Sequence, residues 1–227
     1  MAIATYKDLC IDATDVRRLG EFWARTLDLR LEPLDDGDAR LTGPTPQHTI
    51  WLNAVPEPVT VKQRVHLDVY ARSVDDVLAL GATPQDLETY DWKVVRDPEG
   101  GELCVFERPE LPDSRLMEIV VDCADDEQGA LAAWWADVLD GVRRDEDDGR
   151  YSWVEGIAGA PFKYLVFVPV PEPKTVKNRV HVDLRADSVE ALAKAGAGVL
   201  RERDDEIGWT VMTDPAGNEF CVFTPTE

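Results

Sequence analysis

Val55-Pro-Glu-Pro-Val-Thr-Val-Lys-Gln-Arg-Val-His-Leu-Asp68 is written a second time, as Val170-Pro-Glu-Pro-Lys-Thr-Val-Lys-Asn-Arg-Val-His-Val-Asp183, with 11 of the 14 aligned positions identical. His181 follows His66 by 115 residues (181 − 66). A second echo keeps nearly that spacing. Asp97-Pro-Glu-Gly-Gly-Glu-Leu-Cys-Val-Phe106 returns as Asp214-Pro-Ala-Gly-Asn-Glu-Phe-Cys-Val-Phe223, 117 residues on (214 − 97). Two matches at nearly one offset mean an internal duplication, and a period of about 110 residues is the size of a domain rather than of a solenoid unit. The two domains are therefore set at residues 1–108 and 114–227, joined by a linker, 109–113, that contains Pro-Glu-Leu-Pro.

Outward from the repeats, the patterning predicts the same elements twice. A strand over 3–11 precedes a helix capped by Asp15, whose Leu19, Phe22, Trp23, Thr26 and Leu27 recur at helical spacing. Two short strands, 29–34 and 39–42, turn at Asp35-Asp-Gly-Asp38, and a fourth runs from His48 to Val55. The next segment repeats that order: strand 64–71, a short helix 73–80 closed by Gly81, a weak strand 84–88, and a hairpin of 92–96 with 102–107 around Asp97-Pro-Glu-Gly-Gly101. In the second half, strand 116–121 is followed by the stripe Leu131, Trp134, Trp135, Val138 and Leu139 and by a hairpin at Asp147-Asp-Gly149. Strands 164–170, 179–185, 209–213 and 219–224 and a helix 188–196 complete the set. The fold class is α+β, with four βαβββ modules, two per domain.

Composition narrows the function classes. Each half is long enough to bury a core without staples, and 44% hydrophobic residues with seven Trp fit a globular chain. No run of 18 apolar residues suggests a membrane span, and Met-Ala-Ile-Ala-Thr-Tyr-Lys-Asp lacks the basic and apolar blocks of a signal peptide, so a cytoplasmic location is expected. A formal charge of −21 disfavours nucleic acid and anionic membranes as partners. The cysteines at 10, 104, 123 and 221 form no Cys-x-x-Cys and sit in apolar strand patterns, as small buried hydrophobes do. There is also no nucleophile elbow, P-loop or dinucleotide fingerprint.

Paired βαβββ modules with Asp-Pro-x-Gly-[Gly/Asn] before each last strand resemble the vicinal-oxygen-chelate superfamily, which includes glyoxalase I, bleomycin-resistance proteins, fosfomycin-resistance enzymes and extradiol dioxygenases. More narrowly, residues 171–183, with the Phe22-Trp23 and Trp134-Trp135 helices, resemble its actinobacterial-type glyoxalase-like branch. The resemblance spans almost the whole chain. It implies that each half curls into a half-barrel around a cup, with helices outside, and it fixes no single chemistry.

Strand alternation then says which side chains look into such a cup. Val65, Leu67 and Val69 share one face of their strand, and His66, Asp68 and Tyr70 the other. By the same rule Cys104 and Phe106 face inward, as do Asp8 and Cys10 on the first strand, and Glu118, His181, Asp183, Cys221 and Phe223 in the second half. Trp92 and Trp209, matched at an offset of 117, either stack a planar ligand near the cup mouth or serve as core aromatics. The repeated pairs Lys62/Arg64 and Lys177/Arg179 either meet an anionic ligand group, pair with Glu57 or Glu172, or join the domains. His48 has no counterpart and is expected at the surface.

In metal-bearing relatives, the resemblance implies ligands from the first strand of one module, the His strand of the other, and a Glu on a final strand. Here that Glu is replaced by Cys104 and Cys221, and the equivalent strand ends Trp51-Leu-Asn53 and Val166-Phe-Val168 offer no fourth ligand. The expectation is no metal cofactor. The alternative is a divalent metal (Zn, Mn, Fe or Ni) held by Asp8, His66 and Cys104, or by Glu118, His181 and Cys221. His66 and His181 are the candidate catalytic residues, as the side chains that titrate near neutrality. The function expected is binding of a small organic molecule in the cup, for sequestration or resistance or as a metal-independent enzyme. The alternative is a metal-dependent lyase, isomerase or dioxygenase. The partner expected is a small-molecule ligand, bound by a two-domain monomer or a homodimer.

Overall fold

A computed structural model describes residues 2–225; the outer domain bounds at 1 and 227 lie outside the described residues. The first module is β1 (Ala4–Ala13), α1 (Val16–Leu27), β2 (Arg30–Pro33), β3 (Ala39–Thr42) and β4 (Ile50–Ala54). The second is β5 (Val65–Ala71), α2 (Val74–Leu78), β6 (Thr83–Asp86), β7 (Lys93–Arg96) and β8 (Glu102–Glu107). The third is β9 (Leu116–Cys123), α3 (Gln128–Leu139), β10 (Val142–Asp145), β11 (Ser152–Glu155) and β12 (Tyr164–Pro169). The fourth is β13 (Val180–Ala186), α4 (Val189–Lys194), β14 (Gly198–Arg201), β15 (Thr210–Thr213) and β16 (Glu219–Phe223). In the first and third modules the first and last strands, β1 with β4 and β9 with β12, run parallel, as β5 with β8 and β13 with β16 do in the others.

These elements form where the sequence asks for them. Asp15 accepts from the Arg18 backbone N–H and caps α1, and Leu19, Phe22, Trp23, Thr26 and Leu27 are all buried. The Asp-Pro-x-Gly echo is a pair of side-chain-closed turns. Asp97 accepts from the Glu99 and Gly101 N–H groups and Asp214 from those of Ala216 and Asn218. Gly100 and Gly217 lie at φ 89° and 83°, where a Cβ would be strained. His48 ends a short 3-10 turn and is half-buried, held by Thr45, rather than fully at the surface.

One expectation is corrected: the cups are not closed half by half. The strand order is β14-β15-β16-β13-β1-β4-β3-β2 in one sheet (sheet A) and β10-β11-β12-β9-β5-β8-β7-β6 in the other (sheet B). The first module therefore shares sheet A with the fourth, and the second shares sheet B with the third. The linker 109–113 connects β8 to β9 within sheet B, and the chain changes sheet at the repeated stretches 55–64 and 170–179. Ten residues with two prolines span up to roughly 30 Å when extended, enough to leave one sheet for the other.

Each crossing is tied to the opposite one. Arg64 donates to the Glu172 carbonyl and Arg179 to the Glu57 carbonyl. Lys62 pairs with Asp122, and Lys177 with Asp12 at 2.7 Å. Arg179 also pairs with Glu99. The repeated cationic pairs thus join the two halves, through backbone carbonyls rather than the Glu57 and Glu172 carboxylates.

The convex faces share one core. Its buried cluster runs from Leu9, Phe22 and Trp23 through Leu67 and Leu103 to Trp135, Leu184 and Phe220. α3 packs against its own module and also against β1, and α1 against β5. The helices thus lie on the convex side of the sheets, and the concave faces point away from the core. Among the described residues, no helix is long and apolar enough to cross a membrane.

Candidate functional site

Register places the candidate residues. In sheet A, β1 and β13 run antiparallel with Cys10 opposite His181 and Asp8 opposite Asp183. β16 adds Cys221 beside Asp183 and Phe223 beside Arg185. In sheet B, β5 and β9 set Asp68 opposite Glu118 and His66 opposite Val120, and β8 adds Cys104 beside Asp68 and Phe106 beside Tyr70. Val65, Leu67, Val69, Leu103 and Val105 belong to the core, whereas Tyr70, Cys10, Cys104 and Cys221 are buried outside it. Alternation therefore assigned the faces correctly; Cys123 alone of the cysteines lies in the core.

The exchanged sheets regroup the candidates. Asp8 does not meet His66 and Cys104, and Glu118 does not meet His181 and Cys221. One constellation is Asp8, Cys10, His181, Asp183 and Cys221 in sheet A, and the other is His66, Asp68, Cys104 and Glu118 in sheet B. In sheet B, His66 Nε2 lies 3.2 Å from Asp68 Oδ1 and 3.8 Å from Cys104 Sγ. In sheet A, His181 Nε2 lies 3.5 Å from Asp183 Oδ1 and 3.4 Å from Cys221 Sγ.

The electrostatics separate the two. Burial pulls His66 down, but the Asp68 carboxylate outweighs it and holds the imidazole above its ordinary value. His181 is pulled down to about 4, by burial first and then by Lys177. Burial, followed by the neighbouring carboxylate, pushes Glu118 up against Asp68 and Asp183 up against Asp8. The Cys10, Cys104 and Cys221 thiols are likewise raised by burial and adjacent carboxylates, so none is a ready thiolate nucleophile.

Sequence reasoning missed Lys7. Strict alternation would send it to the core, but a β-bulge between Tyr6 and Asp8 leaves Lys7 outside the pairing with β13. Its Nζ donates to Asp8 Oδ2 at 2.6 Å, lies 3.7 Å from Asp183 Oδ2, and sits 4.0 Å from the Phe223 ring centroid. The Trp51 indole N–H also reaches Asp8 Oδ2, at 3.1 Å. Sheet B has the same bulge, between Asp68 and Val69 on β5, and its extra residue on β9 is Met117. A lysine in a core-facing register was the signal available in the sequence.

Aromatic residues wall both faces. Trp92 stacks between Tyr90 and Phe106, with centroids at 4.9 and 5.7 Å, and Trp209 lies 5.5 Å from Phe223. On the far wing of sheet B, Trp153 contacts Tyr151 and Tyr164. Trp92 and Trp209 therefore belong to the concave walls, not to the core.

A metal can be tested against these donors. His66, Asp68 and Cys104, and likewise Cys10, His181 and Asp183, each bring three ligand atoms within 4.8 Å of one another. Asp68 Oδ1 and Asp183 Oδ1 are buried, each facing the imidazole of its own strand. An imidazole, a carboxylate and a thiol suit zinc by donor type. The sheet B set fits such an ion; in sheet A the Lys7 ammonium already lies against the carboxylates.

Comparison with known proteins agrees with this architecture. A family model described as a glyoxalase-like domain matches residues 8–106 and again 118–223. No curated protein sequence matches the chain. Among solved structures, glyoxalase I from Zea mays superposes with a TM-score of 0.65 at 15% identity, covering 97% of this chain and 92% of that one. A putative dioxygenase from Bacillus subtilis gives 0.66 at 15% identity over 100% of this chain and 86% of that one. At such identities the likeness speaks for the fold. With both halves matched, the chain belongs to the glyoxalase-like domain family, as a tandem member of the vicinal-oxygen-chelate superfamily.

Proposed function

We propose that the concave faces bind a small organic molecule, in a sequestering protein or a metal-independent enzyme. One observation carries this reading: among the described residues, five of the ten buried side-chain polar atoms without a hydrogen bond, Asp8 Oδ1, His66 Nδ1, His181 Nδ1 and the imidazole-facing Asp68 Oδ1 and Asp183 Oδ1, lie in the two constellations. Such an atom costs about 1–3 kcal/mol, so their concentration favours a ligand that completes them. The raised thiols leave the imidazole–carboxylate pairs as the groups able to hold or move a proton. A thermal-shift screen of small organic molecules tests the proposal. Compounds should raise Tm, with the effect lost in Asp68→Ala for sheet B or Asp8→Ala for sheet A. Hits that survive both substitutions contradict it.

The convergence of three donors in each sheet favours a second reading, a metal-dependent lyase, isomerase or dioxygenase. A bound divalent ion would supply Lewis-acid polarisation of substrate oxygens, held in sheet B by His66, Asp68 and Cys104. Elemental analysis of protein purified without an affinity tag separates the two. Stoichiometric metal with a Tm lowered by EDTA supports the metal; substoichiometric metal with an unchanged Tm supports the metal-independent reading.

A further inference from the structure

The duplication shows what the concave face of sheet B lacks. In sheet A an ammonium, Lys7 Nζ, lies among Asp8, Asp183 and the ring of Phe223, which also contacts Trp209. Every one of those partners has its equivalent in sheet B. Glu118 stands opposite Asp68, Phe106 occupies the place of Phe223, and Trp92 stacks on Phe106. The ammonium is missing, because the bulged residue is Met117, and Val166 and Val120 stand where sheet A has Trp51 and Cys10.

Two further exchanges remove a cation, while Arg144 of sheet B stands where sheet A has Glu32. By register, Arg40 of sheet A corresponds to Trp153 of sheet B, and Arg185 to Tyr70. Lys163 and Arg108 lie against the Tyr70 ring, where Lys163 also donates to the hydroxyl, and Arg144, cross-strand from Trp153, is paired with Glu155. Lys62 is engaged by Asp122 and Glu102. The side chain of Asp68 is 6% exposed, and its Oδ1 faces the His66 imidazole at 3.2 Å.

Resting on the small-molecule reading above, we propose that the concave face of sheet B binds an organic ammonium ion carrying a planar aromatic group, its nitrogen in the place that Lys7 Nζ holds in sheet A. Its N–H groups donate to Asp68 and Glu118 as charge-assisted hydrogen bonds. The positive charge lies over Phe106, and the planar group stacks against the aromatic walls at Trp92 or Trp153. The net charge of −21 raises the local concentration of such cations.

Isothermal titration with benzylamine, benzyl alcohol and benzoate tests this. Wild-type protein should bind one equivalent of benzylamine, at least about tenfold more tightly than benzyl alcohol, and should not bind benzoate there. Met117→Lys, which supplies the ammonium internally, should abolish benzylamine binding. Lys7→Met should open a second site and raise the stoichiometry to two. If Lys7→Met fails to fold, Met117→Lys decides alone, since sheet A accommodates a lysine at that bulge. Equal affinity for benzyl alcohol, undiminished binding to Met117→Lys, or no benzylamine binding overturns the ammonium proposal. The broader small-molecule reading survives if benzyl alcohol or benzoate binds and Met117→Lys or Asp68→Ala removes it; it stands or falls separately with the thermal-shift screen.

Discussion

Sheets A and B set an imidazole, a carboxylate pair and a thiol on equivalent strand positions, yet His181 is pulled down to about 4 while His66 is held up. The backbone does not explain the contrast, because both sheets carry the same bulge, next to Asp8 on β1 and next to Glu118 on β9. The charges around each imidazole do: in sheet A burial and then Lys177 pull His181 down, whereas in sheet B the Asp68 carboxylate outweighs burial at His66. The faces differ further where Met117, Trp153 and Tyr70 of sheet B take the positions of Lys7, Arg40 and Arg185 in sheet A. A duplicated frame thus fixes where the polar groups sit, and a few substitutions around it decide what charge each face will accept.

The sharpest way to break this comparison is at the bulge. Lys7→Met leaves Asp8 and Asp183 buried against each other without their cation, and it should cost about 4 kcal/mol in urea unfolding. A loss below about 1 kcal/mol would show that the ammonium is not what holds the pair.

The histidines give the next effect. His181 has a folded value of about 4 against an ordinary 6.5, so protonation favours the unfolded chain. Its stabilising contribution is complete above 6.5 and is lost as pH falls towards 4, reaching about 3 kcal/mol at 1.4 kcal/mol per pH unit. His66 has the opposite sign. Its contribution is present below 6.5 and is lost as pH rises through its elevated folded value. Unfolding followed from pH 4 to 8 in His181→Asn should therefore show a shallower acid loss than wild type, and His66→Asn should not.

The crossings should respond alike where the concave faces differ. Arg64→Ala and Arg179→Ala each remove a donor to a carbonyl of the opposite crossing and should each cost about 2 kcal/mol. Arg179 should cost somewhat more because it also meets Glu99. Thermal unfolding of the two variants would refute the reciprocal clasp if one were neutral. The smallest effect is expected of Met117→Lys, within about 1.5 kcal/mol of wild type, because Glu118, Asp68 and Phe106 stand ready for the ammonium.

Much of this was legible in the sequence. The repeat located four modules, the helical stripes located α1 and α3, and alternation separated Leu67 from Asp68. Which modules share a sheet was not legible, because β1 and β9 present the same alternation and either could pair with either His strand. The crossings that carry the chain between sheets are tied by arginines to backbone carbonyls, which no side-chain pattern reveals. Lys7 escaped because period-two reading assumes an unbroken ladder, and a single bulged residue between Tyr6 and Asp8 suspends it.

The central claim, that sheet B and not sheet A accepts an external ammonium, can be read from the three histidines, with His66 and His181 one on each concave face and His48 on neither. In imidazole ¹H–¹⁵N spectra recorded during a benzylamine titration, the His66 signals should move and saturate while those of His181 and His48 stay in place. Movement of His181 with His66 unchanged, or equal movement of both, would contradict the account.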